Sequence, residues 1–192
     1  MSQQHDSVDL VGEETVEYFA KAVLIAALTA ALAQVSIPLP GSLPPFSLQP
    51  FGMFFAGLLL GPLWGGLALA LYVLVGIAGA PVFSNGGAGL GYFFGGTGGF
   101  LVGFLVGAVV AGAIAHRGVT PHPLDRIAVP TQVVALLSAV VVVYAIGVPW
   151  MAAVTELPLQ RAAGIMAPYV PFDVLKLVVA VGIVEGGYLV RE

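Results

Sequence analysis

Cysteine is absent from the 192-residue chain, which excludes disulfides, thiolate metal sites and cysteine nucleophiles. Charge is scarce: Asp, Glu, Lys and Arg together make up 8% of the residues, against about 25% in a soluble domain. Six basic and ten acidic residues leave a formal net charge of −4, and no basic run exists that could neutralise a row of phosphates. Nucleic acid is thereby excluded as a partner. The three histidines (His5, His116, His122) are too few and too scattered for a metal site. No phosphate-loop pattern with its closing Gly-Lys-Ser/Thr occurs, so the chain has no nucleotide site of its own. A basic leader is missing too: residues 1–17 are polar and acidic, and the first apolar segment reads as an uncleaved membrane helix.

What is present is apolar surface. Hydrophobic residues make up 59% of the chain, and the mean hydropathy is +1.02. A domain of this size cannot hide so much apolar surface from water, so lipid is its solvent. The composition predicts an all-α integral membrane protein: a polar acidic tail over 1–17 and a membrane domain over 18–192, a bundle of six transmembrane helices. The first span covers about Tyr18–Ser36. Residues 37–49, with Pro38, Pro40, Pro44 and Pro45, cannot continue it. The block from Phe51 to Ala80 is too long for one straight crossing of a hydrocarbon core about 30 Å thick. Gly61-Pro62 divides it into a short helix and a longer one over about Leu63–Gly79. A glycine-rich loop follows at 80–91, then spans over about Tyr92–Ala115 and Ile127–Val148. Residues 150–168 read as a surface segment, and the sixth span runs over about Phe172–Val190.

Six spans put both termini on one side. Lys21, Arg117, Arg126 and Arg191 fall at that end, whereas only Arg161 falls in a loop at the other. The excess of basic residues places both termini in the cytoplasm. Loops 37–49, 80–91 and 149–170 then face outward and carry the most unusual chemistry.

Asp173 and Lys176 are three apart at the start of the last span, on one helix face. Ionisable groups within a span are costly and are candidates for function. The pair reads either as a mutually neutralised couple near the interface or as an anchor for a ligand with both N–H groups and a carbonyl or carboxylate. Gln49 ends the motif Pro-Phe-Ser-Leu-Gln, with an amide that donates and accepts. Phe83, Ser84 and Asn85, the chain's only asparagine, offer an aromatic wall, a hydroxyl and an amide; a simple turn would use the same residues. Ala22, Ala26 and Ala30 form a small face on the first span, suited either to packing inside the bundle or to docking another membrane subunit. Gly99, Gly103 and Gly107 make a similar stripe, read as internal packing. Glu185 reads as interfacial. His116, His122 and Asp125 share a loop, where they read as too exposed and flexible for catalysis.

The stretches 45–104 and 144–180 resemble the BioY family, the biotin-specific substrate-binding subunits (S components) of energy-coupling factor (ECF) transporters. The motifs that carry the resemblance are Pro-Phe-Ser-Leu-Gln (45–49), Gly-Leu-Leu-Leu-Gly-Pro (57–62), Gly-Ala-Pro-Val-Phe (79–83) and Asp-Val-Leu-Lys (173–176). The resemblance implies six membrane helices that bind biotin in an outward-facing cavity of the cell membrane, without catalysis or cofactor. It implies Asp173 and Lys176 as the ligand-binding acid and lysine, with Gln49, Tyr72, Phe83, Ser84 and Asn85 lining the site. It implies that Ala22, Ala26 and Ala30 dock on a transmembrane coupling subunit that joins two cytoplasmic ABC-type ATPases. Pro171-Phe172 precedes Asp173 where a glycine is expected, and the acidic tail is longer than expected. Asp173 suits a ureido N–H; Lys176 suits either the ligand's carboxylate or its ureido oxygen. Competing readings are an S component for another vitamin, an intramembrane enzyme with Asp173 and Lys176 as acid and base, and a purely structural subunit.

Overall fold

The computed structural model describes residues 12–37 and 44–187. It is helical but for one short strand pair. The helices are α1 (Glu13–Gln34), α2 (Pro50–Ile77), α3 (Gly89–Phe93), α4 (Gly98–His116), α5 (Val129–Val154), α6 (Leu159–Met166) and α7 (Val170–Glu185). Among the described residues, five stretches are long and apolar enough to cross a membrane: α1, α2, α4, α5 and the run Leu159–Glu185. Leu24, Leu63, Leu74, Val141, Leu175 and Val178 are each more than half exposed. An outer belt of this kind belongs in lipid. Inside it, Met53, Phe54, Leu58, Leu69, Leu136 and Leu177 are fully buried.

α1 begins before the apolar run, at Glu13. Glu13 and Glu14 occupy its first turn, where the helix dipole favours negative charge. Residues 1–11 of the acidic tail lie outside the described residues.

α2 is not straight. Gly61 has φ 71° and ψ −175°, and Pro62 follows it. Proline lacks the amide N–H and disfavours the α conformation at the residue before it, while glycine tolerates positive φ. The chain turns back at this point. The Gln49 amide donates to the Tyr72 hydroxyl at 2.7 Å, across a span that a straight helix would stretch to about 34 Å. The two arms touch: a Cβ on Gly65 would stand 2.5 Å from the Ala56 carbonyl oxygen. The break expected at Gly61-Pro62 is therefore a hairpin.

His116 completes this turn. Pro62 cannot donate to the carbonyl of Leu58, four residues earlier, and His116 Nε2 lies 3.0 Å from that oxygen. His116 Nδ1 accepts the His122 backbone N–H at 2.8 Å, which leaves Nε2 as the protonated nitrogen. The reading of His116 as an exposed, flexible loop residue is corrected: it is 1% exposed and ties α4 to the α2 turn.

Other boundaries also shift. Tyr92 sits in α3, and α4 starts only at Gly98, because Gly95-Gly96-Thr97 interrupts the helix. α5 continues through Pro149 to Val154. The segment expected at the surface is largely exposed and forms α6, which buries only Ala162 and Met166 and leads through one 3-10 turn into α7. The glycine stripe of α4 packs internally. A Cβ on Gly99 would meet Trp150 at 2.3 Å, on Gly103 Val143 at 2.9 Å, and on Gly107 Met53 Sδ at 2.5 Å.

Candidate functional site

The N-terminal ends of α2, α4 and α7 and the C-terminal part of α5 meet around a cavity of about 60 Å³. A strap covers it. Ser36–Ile37 and Phe46–Ser47 pair as antiparallel strands β1 and β2, with Ser36 opposite Ser47 and Ile37 opposite Phe46. The strap is held from the other side as well. Tyr169 Oη donates to the Pro44 carbonyl at 2.6 Å, and the Phe46 ring meets Phe172 edge-on at 4.7 Å.

Asp173 and Lys176 stand one helical turn apart on α7, facing the cavity. Lys176 Nζ donates to Asp173 Oδ1 at 2.8 Å, and Tyr144 Oη donates to Oδ2 at 2.6 Å. The side chains of Asp173 and Lys176 are 14% and 10% exposed. The ammonium also lies 4.4 Å from the Phe46 ring centroid, within cation–π range. Each carboxylate oxygen keeps a lone pair and the ammonium keeps donors, so the pair can still serve a ligand.

A second polar cluster lines the same space. Tyr72 Oη donates to the Val82 carbonyl at 3.1 Å, so it accepts the Gln49 N–H. That sets the amide's orientation. Gln49 Oε1 then accepts the Ser84 hydroxyl at 2.8 Å. The remaining lone pairs of Ser84 and the second N–H of Gln49 are left for a ligand. Phe83 is fully buried behind this cluster, stacked on Tyr92 at 5.1 Å and edge-on to Tyr72 at 5.5 Å. Burial pushes the Tyr92 phenol above the ordinary tyrosine range, so this lining residue stays neutral.

Of the residues expected at the site, Gln49, Ser84, Asp173 and Lys176 line one cavity, and Tyr72 and Phe83 support it from behind. Asn85 stands apart. It is exposed, has φ 58°, and its Oδ1 accepts the Ser36 hydroxyl at 2.7 Å. Tyr144, Tyr92, Tyr169 and Phe100 line the cavity but were not anticipated. Tyr144 had a signal: it is a lone hydroxyl closing the apolar run Val140–Val143. The alanine face divides. Ala22 is fully buried against the bundle, whereas Ala26 and Ala30 line an apolar groove of about 460 Å³ between α1 and the second arm of α2.

Fold and site together define a helical membrane protein with a small cavity, lined by two polar clusters, near one end of its bundle. Residues 3–190 match the BioY family, and the chain belongs to that family. A relative described as biotin transporter BioY, from Rhizobium etli, is 37% identical over 164 residues, covering 80% of this chain and 87% of the relative. One of the same description from Rhodobacter capsulatus is 38% identical over 168 residues, covering 81% and 85%. The fold resembles the crystal structure at 2.1 Å of the S-component for biotin from an ECF-type ABC transporter. The TM-score is 0.80, with 91% of this chain and 92% of that chain covered. At 23% sequence identity this likeness is one of fold.

Proposed function

We propose that this protein is the biotin-capturing S component of an ECF-type importer in the cell membrane. The observation that carries the reading is the buried Asp173–Lys176 pair, held by Tyr144 and lining one cavity with Gln49 and Ser84. Biotin's ureido ring has N–H donors and a carbonyl side by side. Asp173 Oδ1 and Lys176 Nζ, 2.8 Å apart, form the matching acceptor and donor. Asp173 accepts a ureido N–H and Lys176 donates to the ureido oxygen. Phe100, Phe104 and Val143 cover the apolar thiophane ring and the start of the chain.

Counting the two arms of α2 separately gives six crossings, with the start of α1, the end of α7 and the basic residues Lys21, Arg117 and Arg126 at the end away from the cavity. That end is cytoplasmic and the cavity opens outward. Transport uses a transmembrane coupling subunit and two ABC-type ATPases, and the α1 groove at Ala26 and Ala30 is the docking face. Asn85, bonded to Ser36, acts by shaping the loop beside the strap.

The test is calorimetric titration of the purified protein with biotin, biotin methyl ester and an unrelated vitamin. Saturable binding of both biotin and its ester is expected, with the unrelated vitamin silent. Binding of biotin but not of the ester would move Lys176 to the carboxylate. Binding of the other vitamin alone would overturn the substrate. Because the chain lacks cysteine, single cysteines at Gly12, Gly118 and Thr155 test the topology: an impermeant thiol reagent outside intact cells should label only the variant at 155.

A further inference from the structure

A second polar cavity, of about 360 Å³, opens at the end of the bundle opposite the strap. It lies where α4 ends and α5 begins, and His116, Arg117, His122, Arg126 and Thr131 supply its polar lining. No carboxylate lines it, and among the described residues neither arginine has an ion-pair partner. Asp125 adjoins Arg126 in sequence but is not part of the lining. Two of only six basic residues in an acidic chain thus converge on one hollow at the edge of the apolar belt. The backbone has an unusual feature at the same place. Arg117 caps α4 with φ 55° and ψ 30°, a left-handed conformation that glycine or asparagine adopts more readily. Here the strained position carries a guanidinium. His122 is held by its backbone bond to His116, and its ring lies parallel to the His116 ring at 6.1 Å.

We infer that this hollow is a phosphate-binding site, taking the phosphodiester headgroup of an anionic membrane lipid. The two guanidiniums provide planar forks suited to phosphate oxygens. Thr131 adds a hydroxyl donor. Ile127 and Ala128, which also line the hollow, continue into the lipid-facing start of α5, where acyl chains would run. Basic pockets between helix ends are a recognised means of holding anionic headgroups. A lipid held there braces the α4–α5 connection, whose His122 bonds to His116 at the end of α4 and so reaches the α2 turn. The site is independent of the biotin cavity and of its ligand.

The test is titration of the detergent-purified protein with short-chain phosphatidylglycerol, phosphatidylcholine of the same chain length, and inorganic phosphate. Phosphatidylglycerol should bind and phosphatidylcholine should not. Arg117→Gln/Arg126→Gln should weaken phosphatidylglycerol about thirtyfold while leaving biotin binding intact. Inorganic phosphate should compete only weakly; strong competition would reassign the site to a free anion. Equal binding of the two lipids, or undiminished phosphatidylglycerol binding in the double variant, would overturn the proposal. If that variant does not fold, the wild type decides: binding must fall as salt rises, and salt-independent binding would equally refute it.

Discussion

Asp173→Asn is the perturbation with the clearest predicted size. The substitution keeps shape and one hydrogen bond to Tyr144 but removes the charge facing Lys176. In the native protein the two charged groups are 2.8 Å apart with side chains 10–14% exposed. Removing one member of such a buried pair costs about 3–5 kcal/mol, because the survivor stays desolvated without a counter-charge. For a chain of this length, each kcal/mol corresponds to about 2–4 °C in the unfolding midpoint, so Asp173→Asn should lower it by roughly 6–20 °C. Lys176→Met should do the same from the other side. Asp173→Asn/Lys176→Met removes both charges and fills the space, and its cost should fall below the sum of the two singles by about 0.5–3 kcal/mol. The assay is thermal unfolding of the four proteins in one detergent, without ligand. A loss under about 2 °C in either single variant, or strict additivity in the double, would refute the claim that the pair is a coupled buried unit. In that event its ligand role would lose its structural basis, since a pair that does not feel its own partner is too well hydrated to anchor a ligand strongly.

Further outcomes follow from the same geometry. Tyr144→Phe removes a charge-assisted hydrogen bond to Asp173, worth about 1.5–3 kcal/mol; biotin affinity by calorimetry should fall about ten- to hundredfold with the fold retained. Gly61→Ala forces a Cβ onto φ 71° and toward Pro121 at 3.2 Å, and should cost at least about 1–2 kcal/mol in thermal unfolding. His116→Ala leaves the Leu58 carbonyl without its partner and should cost about 1–3 kcal/mol, measured in the same way. Gly107→Val drives a side chain into Met53 and the α5 backbone, and should destabilise by about 1–3 kcal/mol without altering the residues that face the ligand.

Much of this architecture was legible in the sequence because bilayer thickness is a strict ruler. The run Phe51–Ala80 is too long for one straight crossing, and Gly61-Pro62 names the only place in it where both a lost donor and a permissive φ coincide. Hydropathy cannot see what happens at the ends of spans. α5 runs on through Pro149, and α6 forms in a stretch with Glu156, Gln160 and Arg161, because neighbouring helices cover their apolar sides. His116 was misread for a related reason. A histidine beside Arg117 looks like loop chemistry until the hairpin brings the orphaned Leu58 carbonyl to it, and that demand arises from a proline in another helix.

The site divides along the same line. Asp173 and Lys176 stood out because charge is rare in this chain and costly in lipid, a signal that needs no tertiary knowledge. Gln49 and Ser84 were legible as polar groups, but not as partners, because their pairing depends on the turn at Gly61 returning Tyr72 to the level of Gln49. Asn85 carried the same polarity signal and led elsewhere: its left-handed backbone turns the side chain toward Ser36 and away from the cavity. Polarity in an apolar chain therefore marks where hydrogen bonds must be made, while the fold decides whether they face a ligand or the chain itself. Tyr144 shows the converse. It sits in an apolar helix, and its hydroxyl holds the one carboxylate on which the proposed ligand chemistry depends. A tyrosine whose hydroxyl lies deep in a span must find a partner there, and in this bundle the partner its position offers is the anchor itself.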